Sequence, residues 1–455
     1  MRYISLNNRS AAARVELQRK RGFRVTGRVA GLSSLAAQVV GLSEHLSVGD
    51  QLELEGRAGT AMTGEVVGIH GGQAQVLAFG RLDGLGPGSR ATRLPGGGAL
   101  FVDDAWLGRT IDPLGRPLDG KGPVPSGHQP RFARAGAPAA TQRARLGPRL
   151  DLGVRALNLF APCRQGQRLG LFSGSGIGKS TLLAMLARHT ICDVAVLALV
   201  GERGREVREF LEDNLGPDGL ARSVAVVATS DSPPLMRRQA AYTAMTVAEH
   251  FRDQGRSVLL LMDSITRFCL ALREIGLAAG EPPATRGFPA SVFAELPRLL
   301  ERAGPGLDTP DAEPGRITAF FTVLVEGDDY NEPVADAVRG ILDGHIILDR
   351  RIAETGRYPP VDVLRSLSRA TADENSAAEN ALARRARGIL AVHANMADMI
   401  RLGAYRSGAD PAVDEAVILA PRIERILGQT IDDPTTIADS FVALAAAMEQ
   451  PTDQP

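Results

Sequence analysis

Three cysteines in 455 residues, Cys163, Cys192 and Cys269, are too few and too widely spaced to frame this fold. None stands in a CxxC pair or at zinc-ligand spacing, which argues against a disulfide scaffold and a structural zinc site. The thiols are expected to be reduced and structural, as in an intracellular protein. Aromatic residues are scarce as well, 4% of the chain with a single Trp. Neither sign of charge is in surplus, since 52 Lys+Arg balance 52 Asp+Glu. A neutral chain has no overall field to draw it toward nucleic acid or a membrane surface. Long apolar runs are also missing. No stretch approaches the roughly 20 residues that span a bilayer, and the first residues show no apolar signal core, so a soluble, cytoplasmic protein is expected.

Glycine, by contrast, is plentiful at 50 residues. One group of glycines lies in Gly170-Leu-Phe-Ser-Gly-Ser-Gly-Ile-Gly-Lys-Ser-Thr181, between two apolar runs. Residues 168–172 read as the end of a buried strand, and residues 181–189 (TLLAMLARH) as the start of an amphipathic helix. A loop in that setting wraps β- and γ-phosphates with successive N–H groups, and the helix N-terminus adds its positive dipole end. Ser173, Gly174, Ser175, Gly176, Ile177, Gly178, Lys179, Ser180 and Thr181 form the candidate loop. Lys179 would reach the terminal phosphate, and the Ser180 hydroxyl would complete a Mg²⁺ shell. The usual pattern opens with Gly five residues before the final one, where this chain has Ser173. A nucleoside triphosphate with Mg²⁺ is the expected ligand.

The chain is long enough for two or three domains. Residues 1–22 set Arg2, Arg9, Arg14, Arg19, Lys20 and Arg21 against a single acid, Glu16, and suit either a solvated tail or a docking segment. Residues 23–93 carry short alternating runs (FRVTGRVAG, AAQVVGL, DQLELEG, TGEVVGIHG, GQAQVLAFG) with turn residues every 8–12 positions, the pattern of a small β-barrel. LPGGG at 94–98 reads as a linker. From about residue 99 to 373, buried-strand runs such as CDVAVLALV, RSVAVVATS, RSVLLLMD and ITAFFTVLV alternate with helical segments, giving an α/β domain with a mostly parallel sheet. From 374 to 455 the pattern is Ala-rich and helical.

Hydrolysis needs an acid for the metal and a group that orients water. Asp263 ends the run Val258–Met262, where a strand-end carboxylate can hold Mg²⁺ or its water. Glu202 follows the strand 192–200 and should face the same crevice, where a carboxylate can align the attacking water. Arg267, four residues after Asp263, can reach toward a γ-phosphate. Arg369, in Ser-Leu-Ser-Arg, can enter a neighbour's site if subunits form a ring, and Tyr358 offers a face for a base. By spacing alone, Glu202 also fits a solvated loop acid, Arg267 an ordinary helix arginine and Tyr358 a core tyrosine.

Taken together, these segments resemble the ring-forming ATPases related to the catalytic subunit of rotary ATP synthases. Within that superfamily the chain is most similar to the flagellar protein export ATPases and their homologues in virulence-type secretion. The resemblance runs over nearly the whole length, through DPLGRPLDGKGP (112–123), SGSGIGKS, VGERGREVREF (200–210), VVATSDSPPLMR (226–237), LLLMDSITRF (259–268), GEPPATRGFPASVFAELPRLLERAG (280–304), ILDGHIILDRRIAETGRYPPVD (341–362) and SLSRA (366–370). It implies a RecA-like ATPase domain between a β-barrel and a helical C-terminal domain. It also implies that Lys179 and Ser180 serve phosphate and Mg²⁺, that Glu202 is the catalytic glutamate, and that Glu206 and Asp263 are acids near the metal. Arg267 becomes a γ-phosphate contact, Tyr358 the adenine-stacking tyrosine and Arg369 the trans arginine.

The family's partners follow by the same resemblance: a homohexamer around a central stalk-like protein, and a stator-like regulatory protein on the N-terminal segment. Export substrates and their chaperones, and a membrane export gate, complete the set, with the ring peripheral to the inner membrane. GRPLDGKGP and LGAYRSGADPAVDEA suit the flagellar branch, while LVEGDDYNEPVAD and DVLRSLSR lean to the virulence branch; the flagellar one is preferred. A rotary synthase subunit and a nucleotide-gated scaffold without turnover are further alternatives. A ring-shaped RNA translocase would want a basic, aromatic-rich platform, whereas the barrel segment offers only Phe23 and Phe79.

Overall fold

The computed structural model describes residues 24–449 apart from 34, 57, 58, 95, 175, 311, 326–329, 331 and 370–374, so the segment 1–22 lies outside the described residues. Two-residue alternation folds the first part into β1 (Thr26–Leu32), β2 (Ala36–Val40), β3 (Gln51–Glu55), β4 (Ala61–His70), β5 (Gln73–Ala78) and β6 (Arg90–Leu94). They close into a barrel in the order β1-β2-β5-β4-β3-β6, which leaves no free edge. Val29, Val39, Leu52, Leu54, Val66 and Val76 fill its interior. The sequence runs supply five of these strands. β6 (RATRL) escapes them because Ala91 and Thr92 are the residues it buries, and its place is fixed by pairing with both β1 and β3.

The central sheet is built from β7 (Arg109–Ile111), β8 (Arg168–Ser173), β9 (Val194–Glu202), β10 (Ser223–Thr229), β11 (Ser257–Asp263), β12 (Arg316–Leu324), β13 (Gly344–Ile347) and β14 (Leu367–Ser368). Their order is β14-β13-β8-β12-β11-β9-β10-β7, with Gly304–Pro305 as a short extra strand beside β12. From β13 to β7 every neighbour is parallel, and β14 is antiparallel. Parallel strands are covered on both faces, which is why their sequences are apolar without a break. Along β9, Val194, Val196, Ala198 and Val200 enter one core, while Ala195, Leu197 and Leu199 enter the other.

Helix α1 (Lys179–His189) packs in the second core. Helices α2 (Gly204–Glu209), α3 (Pro234–Arg252), α4 (Ile265–Ala278) and α5 (Pro333–Ile341) connect the strands. The C-terminal helices α6 (Ala377–Arg401), α7 (Pro411–Leu427) and α8 (Ile437–Met448) add Ile389, Leu419, Ile423 and Leu444 to the second core. Their starts are marked by side-chain caps from Ser376, Asp410 and Thr436.

Two expectations change. The sequence predicts an amphipathic α1, but all residues from Leu182 to Ala187 are buried. It also predicts strand–helix alternation from about residue 99, yet β7 is the one piece of the chain before Arg149 that joins the central sheet. Residues 112–123 instead fold around two carboxylates. Asp112 accepts from the Leu114 and Arg116 N–H groups, and Asp119 pairs with Arg109 at 2.7 Å. Among the described residues no helix is long and apolar enough to cross a membrane.

Candidate active site

β8 ends at Ser173 and α1 begins at Lys179, so the glycine-rich loop connects a buried strand to a helix N-terminus. Gly178 takes φ 91°, a left-handed conformation that a side chain would resist. A Cβ there would also stand 3.3 Å from the Tyr358 ring. Ile177 is buried and anchors the loop in the core. No side chain caps α1, which leaves its first N–H groups available to an anion. Gly174 is buried, Gly176 and Ser180 are exposed, Thr181 is half-buried, and Ser175 lies outside the described residues. Ser173 is fully buried, and among the described residues its Oγ has no hydrogen-bond partner.

Glu202 and Asp263 stand at the ends of the paired strands β9 and β11, so both reach the carboxyl edge of the sheet above the loop. Lys179 Nζ donates to Asp263 Oδ1 at 2.6 Å and to Glu202 Oε1 at 3.3 Å. Thr322, on β12, donates its hydroxyl to the same Asp263 oxygen at 2.7 Å and fixes that carboxylate. Burial disfavours the Lys179 ammonium, but the Asp263 and Glu202 charges outweigh it and hold its pKa above the ordinary lysine value. Glu202 is pushed above the usual carboxylate range, first by burial and then by the Asp263 charge, against the pull of Lys179 and Arg267.

Arg267 lies in the first turn of α4, where its N–H donates to the capping Ser264 hydroxyl at 3.2 Å. Its side chain crosses Gly201, whose missing Cβ would meet the Arg267 Cβ at 3.0 Å. Glycine at 201 thus lets the arginine lie beside Glu202. Tyr358 is 46% exposed, with its ring edge against the loop.

Two candidates stay outside this group. Glu206 lies on α2 and pairs with Arg203 at 2.7 Å, with no link to Lys179. Arg369 is exposed, and its N–H donates to the Asp343 carbonyl at 2.9 Å, where Asp343 also pairs with Arg168 at the start of β8. Five residues of strand separate that level from Ser173, about 17 Å at strand rise. Arg369 therefore sits at the opposite end of the sheet from the Lys179 of its own chain. Sequence reasoning missed Thr322, although a polar residue near the carboxyl end of the apolar run ITAFFTVLV is a usable signal. It also missed Arg273, Arg286 and Arg350, which line a cavity beside Gly174.

Residues 153–368 match the ATP synthase alpha/beta family, nucleotide-binding domain. Residues 375–446 match the T3SS EscN ATPase C-terminal domain. The chain is 50% identical over 426 residues to the flagellum-specific ATP synthase of Caulobacter vibrioides, covering 93% of this chain and 96% of that protein. It is 48% identical to the type 3 secretion system ATPase of Xanthomonas euvesicatoria, over 82% of each. The assembled ATPase EscN from the type III secretion system of enteropathogenic E. coli superposes with a TM-score of 0.86 at 38% identity, over 93% of this chain and 100% of that one. The chain belongs to the ATP synthase alpha/beta family, in the branch that holds the flagellum-specific and type III secretion ATPases.

Proposed function

We propose that this chain hydrolyses ATP for the flagellar type III protein-export apparatus. The observation that carries the reading is Lys179 at the start of α1, bridging the two strand-end acids Asp263 and Glu202. ATP phosphates would draw Nζ off both carboxylates, because the loop N–H groups and the helix end hold them within its reach. Glu202, released from the lysine, accepts a hydrogen bond from the attacking water and aligns it. Arg267 approaches the charge that develops on the transferred phosphoryl group. Tyr358 receives the adenine on its exposed face.

The donor set suits Mg²⁺. Ser180 and Asp263 offer oxygen ligands only, and among the described residues no group of three or more His, Cys, Asp and Glu side chains forms a metal cage. That fits an ion which keeps waters and substrate phosphates in its shell. Held there by Ser180 and Asp263, Mg²⁺ would supply positive charge that offsets that of the phosphates. Glu206, four residues beyond Glu202, would act on that shell only after leaving Arg203.

The subunits would assemble as a homohexamer in which Arg369 completes a neighbour's site. The likeness to assembled EscN, and to EscN with its central stalk EscO at a TM-score of 0.83 and 37% identity, supports a ring around a stalk-like protein. We place the ring in the cytoplasm, peripheral to the inner membrane, where it engages export substrates and chaperones for a membrane gate and takes no nucleic acid. A stator-like regulatory partner is assigned to residues 1–22. The flagellar branch is preferred on the 50% identity over 93% of the chain. The virulence-type alternative rests on 48% identity to the Xanthomonas ATPase.

The test is a pair of variants. Glu202→Gln should bind ATP like wild type and lose at least about 100-fold in turnover, the low end of a general base's contribution. Lys179→Ala should instead weaken ATP binding itself. Turnover by Glu202→Gln within a few-fold of wild type removes Glu202 from the mechanism.

A further inference from the structure

A cavity of about 610 Å³ adjoins the phosphate loop, lined by Gly174, Arg267, Arg273, Arg286, Glu332 and Arg350 among others. Two of these guanidinium groups, those of Arg267 and Arg273, come from α4. Arg267, Leu270 and Arg273 follow one another at three-residue steps along α4, and all three line the cavity. Arg273 lies over the Phe288 ring at 5.1 Å from its centroid, and the buried Arg267 Nε has no hydrogen-bond partner among the described residues. Neither guanidinium is paired with a carboxylate among the described residues. Arginine suits a tetrahedral oxyanion, because its planar fork donates two parallel N–H bonds to adjacent oxygens.

The cavity is also continuous with the catalytic group. Gly174 belongs to the phosphate loop, and Arg267 lies close enough to Glu202 to lower its pKa. ATP's own phosphates have the loop N–H groups and Lys179, so Arg273, further along α4, is surplus to binding it. A phosphate cut from ATP would meet Arg267 first and Arg273 next.

We propose that this cavity is a second phosphate site, which takes the inorganic phosphate product as it leaves the loop while ADP is still bound. The proposal rests on the hydrolase reading above. The site holds inorganic phosphate in the presence of ADP, so phosphate inhibits turnover without competing with ATP. Arg273 positions the leaving product and has no part in bond cleavage.

The experiment measures equilibrium binding of radiolabelled inorganic phosphate to the full-length protein saturated with ADP and Mg²⁺, a readout independent of turnover. Phosphate inhibition of steady-state hydrolysis is measured alongside it. Arg273→Gln should weaken both by about tenfold, the loss of one charge-assisted pair, with ATP affinity and single-turnover cleavage unchanged. Arg273→Lys should recover part of the loss. Unchanged phosphate affinity in Arg273→Gln overturns the proposal, as does purely competitive inhibition against ATP, or an equal loss of ATP affinity. A wild-type protein that binds ATP but never cleaves it would instead defeat the hydrolase reading, and would leave the phosphate-binding measurement to decide this site.

Discussion

Glu202 is the residue whose chemistry depends most on its surroundings. A carboxylate that is to orient water must be ionised, yet burial and Asp263 raise its pKa above the ordinary value of 4.5. The acid limb of kcat/KM, which reports groups of the free enzyme, should therefore lie above pH 4.5. The stability effect has the opposite sense. A carboxyl with a raised folded-state pKa contributes stability that is present below pH 4.5 and lost as pH rises through the raised value. Nucleotide-free Glu202→Gln should accordingly melt no lower than wild type at pH 7, and its advantage should shrink toward pH 4.5. An acid limb at or below pH 4.5 would mean that another group sets the profile. Lys179, Glu202 and Asp263 were legible in the sequence because each ends or begins an element whose type its neighbours announce. Arg273, Arg286 and Arg350 were not, because they reach one cavity from separate stretches of chain with no shared period.

Among the elements, α3 does the most to hold the barrel to the ATPase core. Its Arg238 is buried and donates to Glu65 on β4, and Arg134 approaches the same carboxylate at 3.5 Å. One turn from its end, Glu249 accepts a two-pronged bond from Arg302 at 2.7 and 2.9 Å. The apolar side of the same junction joins Ala36, Leu77 and Phe79 of the barrel segment to Leu235 and Ile275. Glu65→Leu would leave Arg238 buried and uncompensated, at a cost of about 3–5 kcal/mol. Adding Arg238→Leu should restore most of that loss, since two apolar side chains of similar size can replace a buried pair. Denaturant unfolding of the two variants checks this, and a double variant no more stable than Glu65→Leu refutes it. The helix period of α3 was readable in 235–255, but the charges within it look like an ordinary solvated stripe until the barrel covers them. β6 and the full burial of α1 escaped for related reasons: the helix itself was readable in 181–189, but the strands around β6 and the core around α1 decide what each of them buries.

On the scale of the whole molecule, the order barrel, parallel sheet, helical bundle follows from where the hydrophobic period changes along the chain. The proposed ring does not, because Arg369, the residue assigned to it, has no local signature. Arg369 lies about 17 Å of strand from the loop end of its own chain, exposed just past β14, an outer strand of the sheet. In a ring of head-to-tail contacts each subunit lends one surface to its neighbour's opposite surface, so such an arginine can serve only the next site. Activity per subunit should then rise steeply with protein concentration, and Arg369→Ala should flatten the rise while ATP binding persists. Mixing gives a sharper discrimination. Glu202→Gln subunits keep the arginine, and Arg369→Ala subunits keep the glutamate. At an equal, random mixture about one contact in four pairs an intact Glu202 with an intact neighbouring Arg369, so two nearly inactive preparations should regain about a quarter of wild-type turnover. If Arg369 acted within its own chain, every subunit in the mixture would lack one of the two groups. Turnover would then stay at the level of the separate variants at every mixing ratio, and that outcome would refute the trans arrangement.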